Sequence, residues 1–202
     1  MDYIIAAVLA YFLGSFPTGF LTGKWLCGID IRQYGSKNIG TTNMFRTLGV
    51  YPASIVLIVD ILKGVLSVAF AMYLTPNIGV HLLAAALAII GHNYSCWLGF
   101  KGGRGVATSL GILLTLMPLT SLLVFAVWAL IVFITRYVSL GSIIGAALTP
   151  ILAYYFEYDL KIQLFSGFMA LLVIVGHKDN IKRLLTGTEN KIKSGNMNNI
   201  KK

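Results

Sequence analysis

"VATSLGILLTLMPLTSLLVFAVWALIVFI", residues 106–134, is apolar almost throughout and carries one proline, Pro118, near its middle. As a single α-helix its 29 residues would run about 43 Å at roughly 1.5 Å per residue, against a hydrocarbon core of about 30 Å. One steeply tilted helix fits these numbers, and so does a tight pair of helices that turns back at the proline. The rest of the chain decides between them.

Further apolar runs cover residues 3–26, 52–74, 80–98, 139–156 and 160–175. With 57% hydrophobic and 11% charged residues in 202, the chain reads as an all-α integral membrane protein. A bundle of such helices uses nearly the whole length, so residues 1–193 are expected to form a single membrane domain and residues 194–202 a disordered basic tail. The N-terminus lacks a basic n-region and a convincing cleavage site, so the first run reads as a retained helix.

Charge placement settles the parity. Lys24, Arg32, Lys37 and Arg46 follow the first run, Lys101 and Arg104 the third, Arg136 the 106–134 run, and a basic tail from Lys178 the last. Connections near Pro76 and Glu157 carry almost no positive charge, Lys161 being the exception. Counting 106–134 as two passes, 106–117 and 119–134, places every basic segment on one side. The expectation is a seven-helix bundle including one short helix pair, with the N-terminus outside and the C-terminus cytoplasmic. The net charge of +9 then marks topology, and no nucleic-acid partner is expected.

Three polar segments fall on the basic side. In "YGSKNIGTTNMFRTLG", residues 34–49, Gly35 and Gly40 allow close backbone approach, while Ser36, Asn38, Thr41, Thr42 and Asn43 supply neutral hydrogen-bonding groups. Arg46 adds a two-pronged cation, a set suited to a polyol phosphate. The plainer alternative is a capped loop in which Thr41 or Thr42 simply starts a short helix, which leaves Arg46 and the density of donors unexplained.

In "GHNYSCWLGFKGGRGVATSLG", residues 91–111, the glycines fit neither Walker A nor G-x-G-x-x-G, since Thr108 stands at the last glycine's place. Glycine N–H groups, a helix opening at Val106, Lys101 and Arg104 still describe an anion site. The plainer alternative has Lys101 and Arg104 snorkelling to the interface, which leaves the glycines unexplained. In "GHKDNIKRLLTGTENK", residues 176–191, His177 and Asn180 lie three apart and can share a face. Ser139, beside the Arg136 junction, is placed to face a cavity.

Other polar residues read as structural. Asp60 and Lys63, at i, i+3 in the second run, predict a mutual ion pair that orders the bundle. Cys27 and Cys96 form no C-x-x-C pair, and His92 with Cys96 finds no further clustered ligand, so no metal or other cofactor is expected. Clustering of binding groups on one face, without an evident inverted repeat, favours an enzyme joining a soluble phosphate to a lipid phase over a transporter of organic phosphates.

The three segments resemble, in order and spacing, the bacterial acyl-phosphate:glycerol-3-phosphate acyltransferases, the PlsY family: "GSKNIGTTNMFR" at 35–46, "GHNYSCWLGFKGGRGVAT" at 91–108 and "HKDNIKRLLTGTE" at 177–189. Here Lys37 replaces a usual glycine, Thr41 an alanine, Ser95 a proline and Arg104 a lysine. The resemblance implies a seven-helix enzyme of the bacterial plasma membrane, with its site on the cytoplasmic face. It would move an acyl group from acyl phosphate to the 1-hydroxyl of sn-glycerol 3-phosphate, yielding lysophosphatidic acid and phosphate. Membrane lipids and functional coupling to the enzyme that makes acyl phosphate are implied as well. Residue roles follow the same resemblance. Lys101, Arg104, Thr108 and the amides of Gly102, Gly103 and Gly105 would receive the acyl-phosphate phosphate. Ser36, Asn38, Thr42, Asn43 and Arg46 would hold glycerol 3-phosphate, with Ser139, His177 and Asn180 near the attacking hydroxyl.

Overall fold

In a computed structural model, residues 1–195 are described, and their regular structure is entirely helical. The ten α-helices are α1 Asp2–Ser15, α2 Thr18–Cys27, α3 Thr41–Leu48, α4 Val50–Leu74, α5 Ile78–Asn93, α6 Val106–Leu116, α7 Pro118–Thr135, α8 Val138–Tyr155, α9 Leu160–Gly176 and α10 Lys178–Leu185. Five segments are long and apolar enough to cross a membrane: α1 with α2, α4, α5 with the turn to Leu98, α7 and α8. A sixth is added if α9 and α10, bent by 61° about His177, count together. The chain is a multi-pass membrane protein.

The 106–134 run does break, at Met117, and Pro118 opens α7 where its missing N–H costs nothing. α6 has 11 residues, about 16 Å, so it reaches only part of the way through the hydrocarbon. The first run, expected as one helix, is interrupted because Pro17 cannot donate into it; α1 ends at Ser15 and α2 starts at Thr18. The expected ion pair forms at this interruption. Lys63 Nζ lies 2.6 Å from Asp60 Oδ1 and donates at 2.6 Å to the carbonyl of Phe16.

Helix packing relies on backbone approach more than on large side chains. A Cβ on Gly64 of α4 would lie 2.1 Å from the Thr108 carbonyl oxygen of α6, and one on Gly111 of α6 would lie 2.1 Å from that of Ile61. The same reciprocity joins α1 to α5: Gly14 faces the Ala88 carbonyl and Gly91 that of Tyr11. Within lipid, where burying apolar surface drives little association, such contacts supply the dispersion that holds helices together. Ala6, Ala10, Ala84, Ala85 and Ala88 fill the α1 and α5 core for the same reason.

The basic connections converge on one end of the bundle. Arg46 of α3 donates to the Asn190 carbonyl at 2.6 Å, and Ile192 N–H to the Arg136 carbonyl at 2.7 Å. The expected tail begins in contact, Gly195 N–H donating to the Phe45 carbonyl at 2.9 Å; the remainder, 196–202, lies outside the described residues.

Candidate functional site

At that end a cavity of about 660 Å³ opens between α3, α4 and the α6–α10 segment. Its polar part is lined by Ser36, Asn38, Thr42, Asn43, Arg46, Arg104, Gly105, Ser139, His177, Asn180 and Glu189. An apolar part continues from it, with Leu110, Leu113 and Leu114 of α6, Phe125 of α7, Ala146 of α8 and Met169 of α9. Thus ten of the residues expected to build the site share one cavity. Lys101 is exposed and does not line it, and neither does the fully buried Thr108, whose carbonyl abuts Gly64 of α4. Gly102 and Gly103 also lie off the wall. Their N–H groups donate to the carbonyls of Asn93 and His92, at 3.0 and 2.9 Å, which caps the end of α5 and takes these amides away from any ligand.

Asn43 shapes the first loop. Its Nδ2 donates to the carbonyls of Ile31, Tyr34 and Asn38, and its Oδ1 accepts from Ser36 N–H at 2.8 Å. Both N–H groups of this buried amide, and one acceptor position of its oxygen, are therefore spent bracing the loop and the turn before it. Lys37, where the related motif carries glycine, adopts φ +59°, so the loop keeps its left-handed turn at some conformational cost. Thr41 opens α3 with Gly40 as N-cap, which brings Thr42 and Arg46 onto the cavity wall one turn apart.

Two guanidinium groups face the polar part. Burial lowers the pKa of Arg46 from its ordinary value, with Glu189 opposing, and Arg46 Nε has no hydrogen-bond partner among the described residues. Burial also lowers Arg104, reinforced by Arg183, again against Glu189. Both remain cations, so two incompletely compensated charges line one cavity. Gly105, at φ +77°, is the N-cap of α6 and points that helix's positive end at the same space.

Glu189 was missed in the sequence, although it closes the third motif. Its Oε1 accepts from Ser139 Oγ at 2.8 Å and from Asn180 Nδ2 at 2.7 Å, and its Oε2 accepts from Arg183 Nε at 2.7 Å. Burial opposes its charge, but the three hydrogen bonds together outweigh it and hold the carboxyl below its ordinary pKa. Asn180 keeps its Oδ1 buried without a partner among the described residues. His177 Nδ1 donates to the Val173 carbonyl at 2.7 Å, which leaves Nε2 as the acceptor of the neutral ring. Neutral acceptors, a serine hydroxyl and two cations in a partly apolar cavity can bind a phosphorylated alcohol and stabilise charge that develops on an acyl-transfer leaving group.

Known proteins match the chain along nearly its whole length. A family model described as glycerol-3-phosphate acyltransferase matches residues 4–187. The chain is 48% identical over 190 residues to glycerol-3-phosphate acyltransferase 2 of Moorella thermoacetica, covering 94% of this chain and 97% of that one. It is 43% identical to the glycerol-3-phosphate acyltransferase of Fusobacterium nucleatum, with 96% and 100% covered. Among solved structures it is similar to PlsY (YgiH), an integral membrane glycerol 3-phosphate acyltransferase. The glycerol 3-phosphate form superposes with a TM-score of 0.91 at 34% identity, covering 96% of each chain. The lysophosphatidic acid form gives 0.88 at 34%, covering 95% of each. With two cations, a helix N-terminus and an apolar extension in one cavity, and with matches along nearly its whole length, the chain belongs to the glycerol-3-phosphate acyltransferase family of membrane enzymes.

Proposed function

We propose that this protein transfers a fatty acyl group from acyl phosphate to the 1-hydroxyl of sn-glycerol 3-phosphate, releasing lysophosphatidic acid and inorganic phosphate. One observation carries the proposal: a single cavity joins a polar end holding Arg46 and Arg104 to an apolar part between α6, α7, α8 and α9. A phosphate and its acyl chain can occupy these two parts together. The glycerol 3-phosphate and lysophosphatidic acid forms of the similar PlsY structure support the same acceptor and product.

In this reading Arg104, Gly105 and the start of α6 receive the acyl-phosphate phosphate, with Lys101 at the entrance. Arg46, Ser36, Asn38 and Thr42 hold glycerol 3-phosphate, on a loop braced by Asn43. Gly102, Gly103 and Thr108 shape the site from behind. The acceptor hydroxyl, held near Ser139, His177 and Asn180, attacks the acyl carbonyl carbon. The bond from that carbon to the phosphate oxygen breaks, charge passes to the departing phosphate, and a phosphate oxygen takes the hydroxyl proton. The leaving group is already stable as an anion, so positioning and preset charge supply most of the catalysis.

The membrane arrangement belongs to the same proposal. Counting the bent α9–α10 pair as one pass, and α6 with it as a short seventh, puts the N-terminus outside and the converging basic end in the cytoplasm of a bacterial plasma membrane. The enzyme that makes acyl phosphate is then the natural functional neighbour. The test gives the purified protein glycerol 3-phosphate with acyl phosphate, acyl-CoA or acyl carrier protein as donor and measures lysophosphatidic acid. Product is expected from acyl phosphate alone; its absence from a folded preparation overturns the proposal.

A further inference from the structure

Gly102 and Gly103 sit in a loop whose composition suggests a phosphate cradle, yet neither has the left-handed φ that demands glycine. What excludes a side chain is space. A Cβ on Gly102 would lie 2.0 Å from the His92 carbonyl oxygen, and one on Gly103 would lie 1.9 Å from Nε2 and 2.7 Å from Cδ2 of the His92 ring. Gly103 N–H also donates to the His92 carbonyl. One residue at the end of α5 therefore fixes both the backbone and the free face of Gly103, and Arg104 follows directly.

His92 is buried beside a fixed ion pair: its Nδ1, which has no hydrogen-bond partner among the described residues, lies 3.9 Å from Asp60 Oδ1. Asp60 is fixed by Lys63, which is anchored in turn on the Phe16 carbonyl. These polar groups are costly among membrane helices, and both Asp60 and His92 line the cavity.

We infer that His92 is a positioning residue: its ring, backed by the Asp60–Lys63 pair, sets where Gly103 lies and so aims the Arg104 guanidinium into the cavity. The glycine at 103 is there to admit the imidazole, not to present an amide to phosphate. This rests on the acyltransferase reading of the site.

The test is a double-mutant cycle with acyl phosphate as the varied substrate. Gly103→Ala is expected to lower kcat/KM at least tenfold, mainly through KM for acyl phosphate. His92→Ala, which loosens the loop, is expected to raise that KM about fivefold with little change in kcat, that is, about 1 kcal/mol. The double variant His92→Ala/Gly103→Ala should return to within about threefold of His92→Ala, since removing the ring makes room for the methyl group. In His92→Phe/Gly103→Ala, which keeps a ring, no recovery is expected. Losses that simply multiply in the double variant overturn the inference. If Gly103→Ala does not elute as a folded species in detergent, His92→Ala decides: unchanged KM and kcat overturn the inference, and the selective KM rise supports it. Wild-type protein inactive with acyl phosphate would instead defeat the function proposed above, so the two failures are distinguishable.

Discussion

Arg104 is the cation closest in sequence to the start of α6, and it lies half-buried in the loop after α5, against Gly176 at the end of α9. Its replacement by alanine is expected to lower kcat/KM at least tenfold, about 1.4 kcal/mol or more, whereas Arg104→Lys keeps the charge and loses less. Steady-state kinetics in detergent checks this, and an unchanged Arg104→Ala variant would remove the residue from the site. Glu189 makes a different prediction. Its folded pKa is depressed, so its contribution to stability is full above the ordinary carboxylate pKa and is lost as pH falls through the depressed value. At neutral pH Glu189→Gln should therefore melt several degrees below wild type, and acidification toward pH 4 should narrow the gap; a constant gap in thermal melts would contradict the assignment. Anion chemistry singles out Arg46 and Arg104 in the sequence, the resemblance adds Ser139, His177 and Asn180, and all five line the one cavity. Sequence hides Glu189, because a carboxylate in an anion cavity looks repulsive until Ser139, Asn180 and Arg183 are seen around it. Asn43 differs: its amide looks free in the sequence, and in the structure its N–H groups brace the loop on the carbonyls of Ile31, Tyr34 and Asn38.

Among elements, α6 depends most on its neighbour. With only 11 residues it gains its place by backbone contact with α4, through Gly64 against Thr108 and Gly111 against Ile61. A methyl group on either glycine must push two backbones apart, and overpacking of this kind typically costs about 1–3 kcal/mol. Gly64→Ala and Gly111→Ala are thus expected to lower the melting temperature and, by displacing the start of α6, to impair turnover. Gly167→Ala on α9 serves as the control, since a Cβ there meets nothing within 4 Å; a drop equal to that of Gly64→Ala would disprove the contact argument. Hydropathy and Pro118 left the α6–α7 break open, and the placement of the basic segments decided for it. The interruption at Pro17 was equally encoded but concealed inside a run whose length already suited one crossing. Reciprocal glycine contacts escape sequence reading altogether, because they depend on which helices become neighbours.

For the whole molecule, geometry fixes which connections share an end, and charge assigns that end to a side. Gly176 at the end of α9 lies against Arg104, while Arg136 and Arg46 are tied to residues 190–192. Tyr3 and Gly79, near the starts of α1 and α5, meet at the other end. These contacts hold whichever way the bundle is inserted, and the proposed cytoplasmic side rests on the excess of lysine and arginine at the converging end. The assignment is testable after Cys27 and Cys96 are replaced, using single cysteines at Asn77, Lys101 and Lys182. An impermeant maleimide should label Asn77→Cys in intact cells and should reach Lys101→Cys and Lys182→Cys only after permeabilisation. Labelling of Lys101→Cys from outside would invert the bundle and put the cavity on the wrong side for a cytoplasmic phosphate ester. Opposite labelling of Lys101→Cys and Lys182→Cys would contradict the convergence of α6 and α10 on one cavity, and with it the shared site itself.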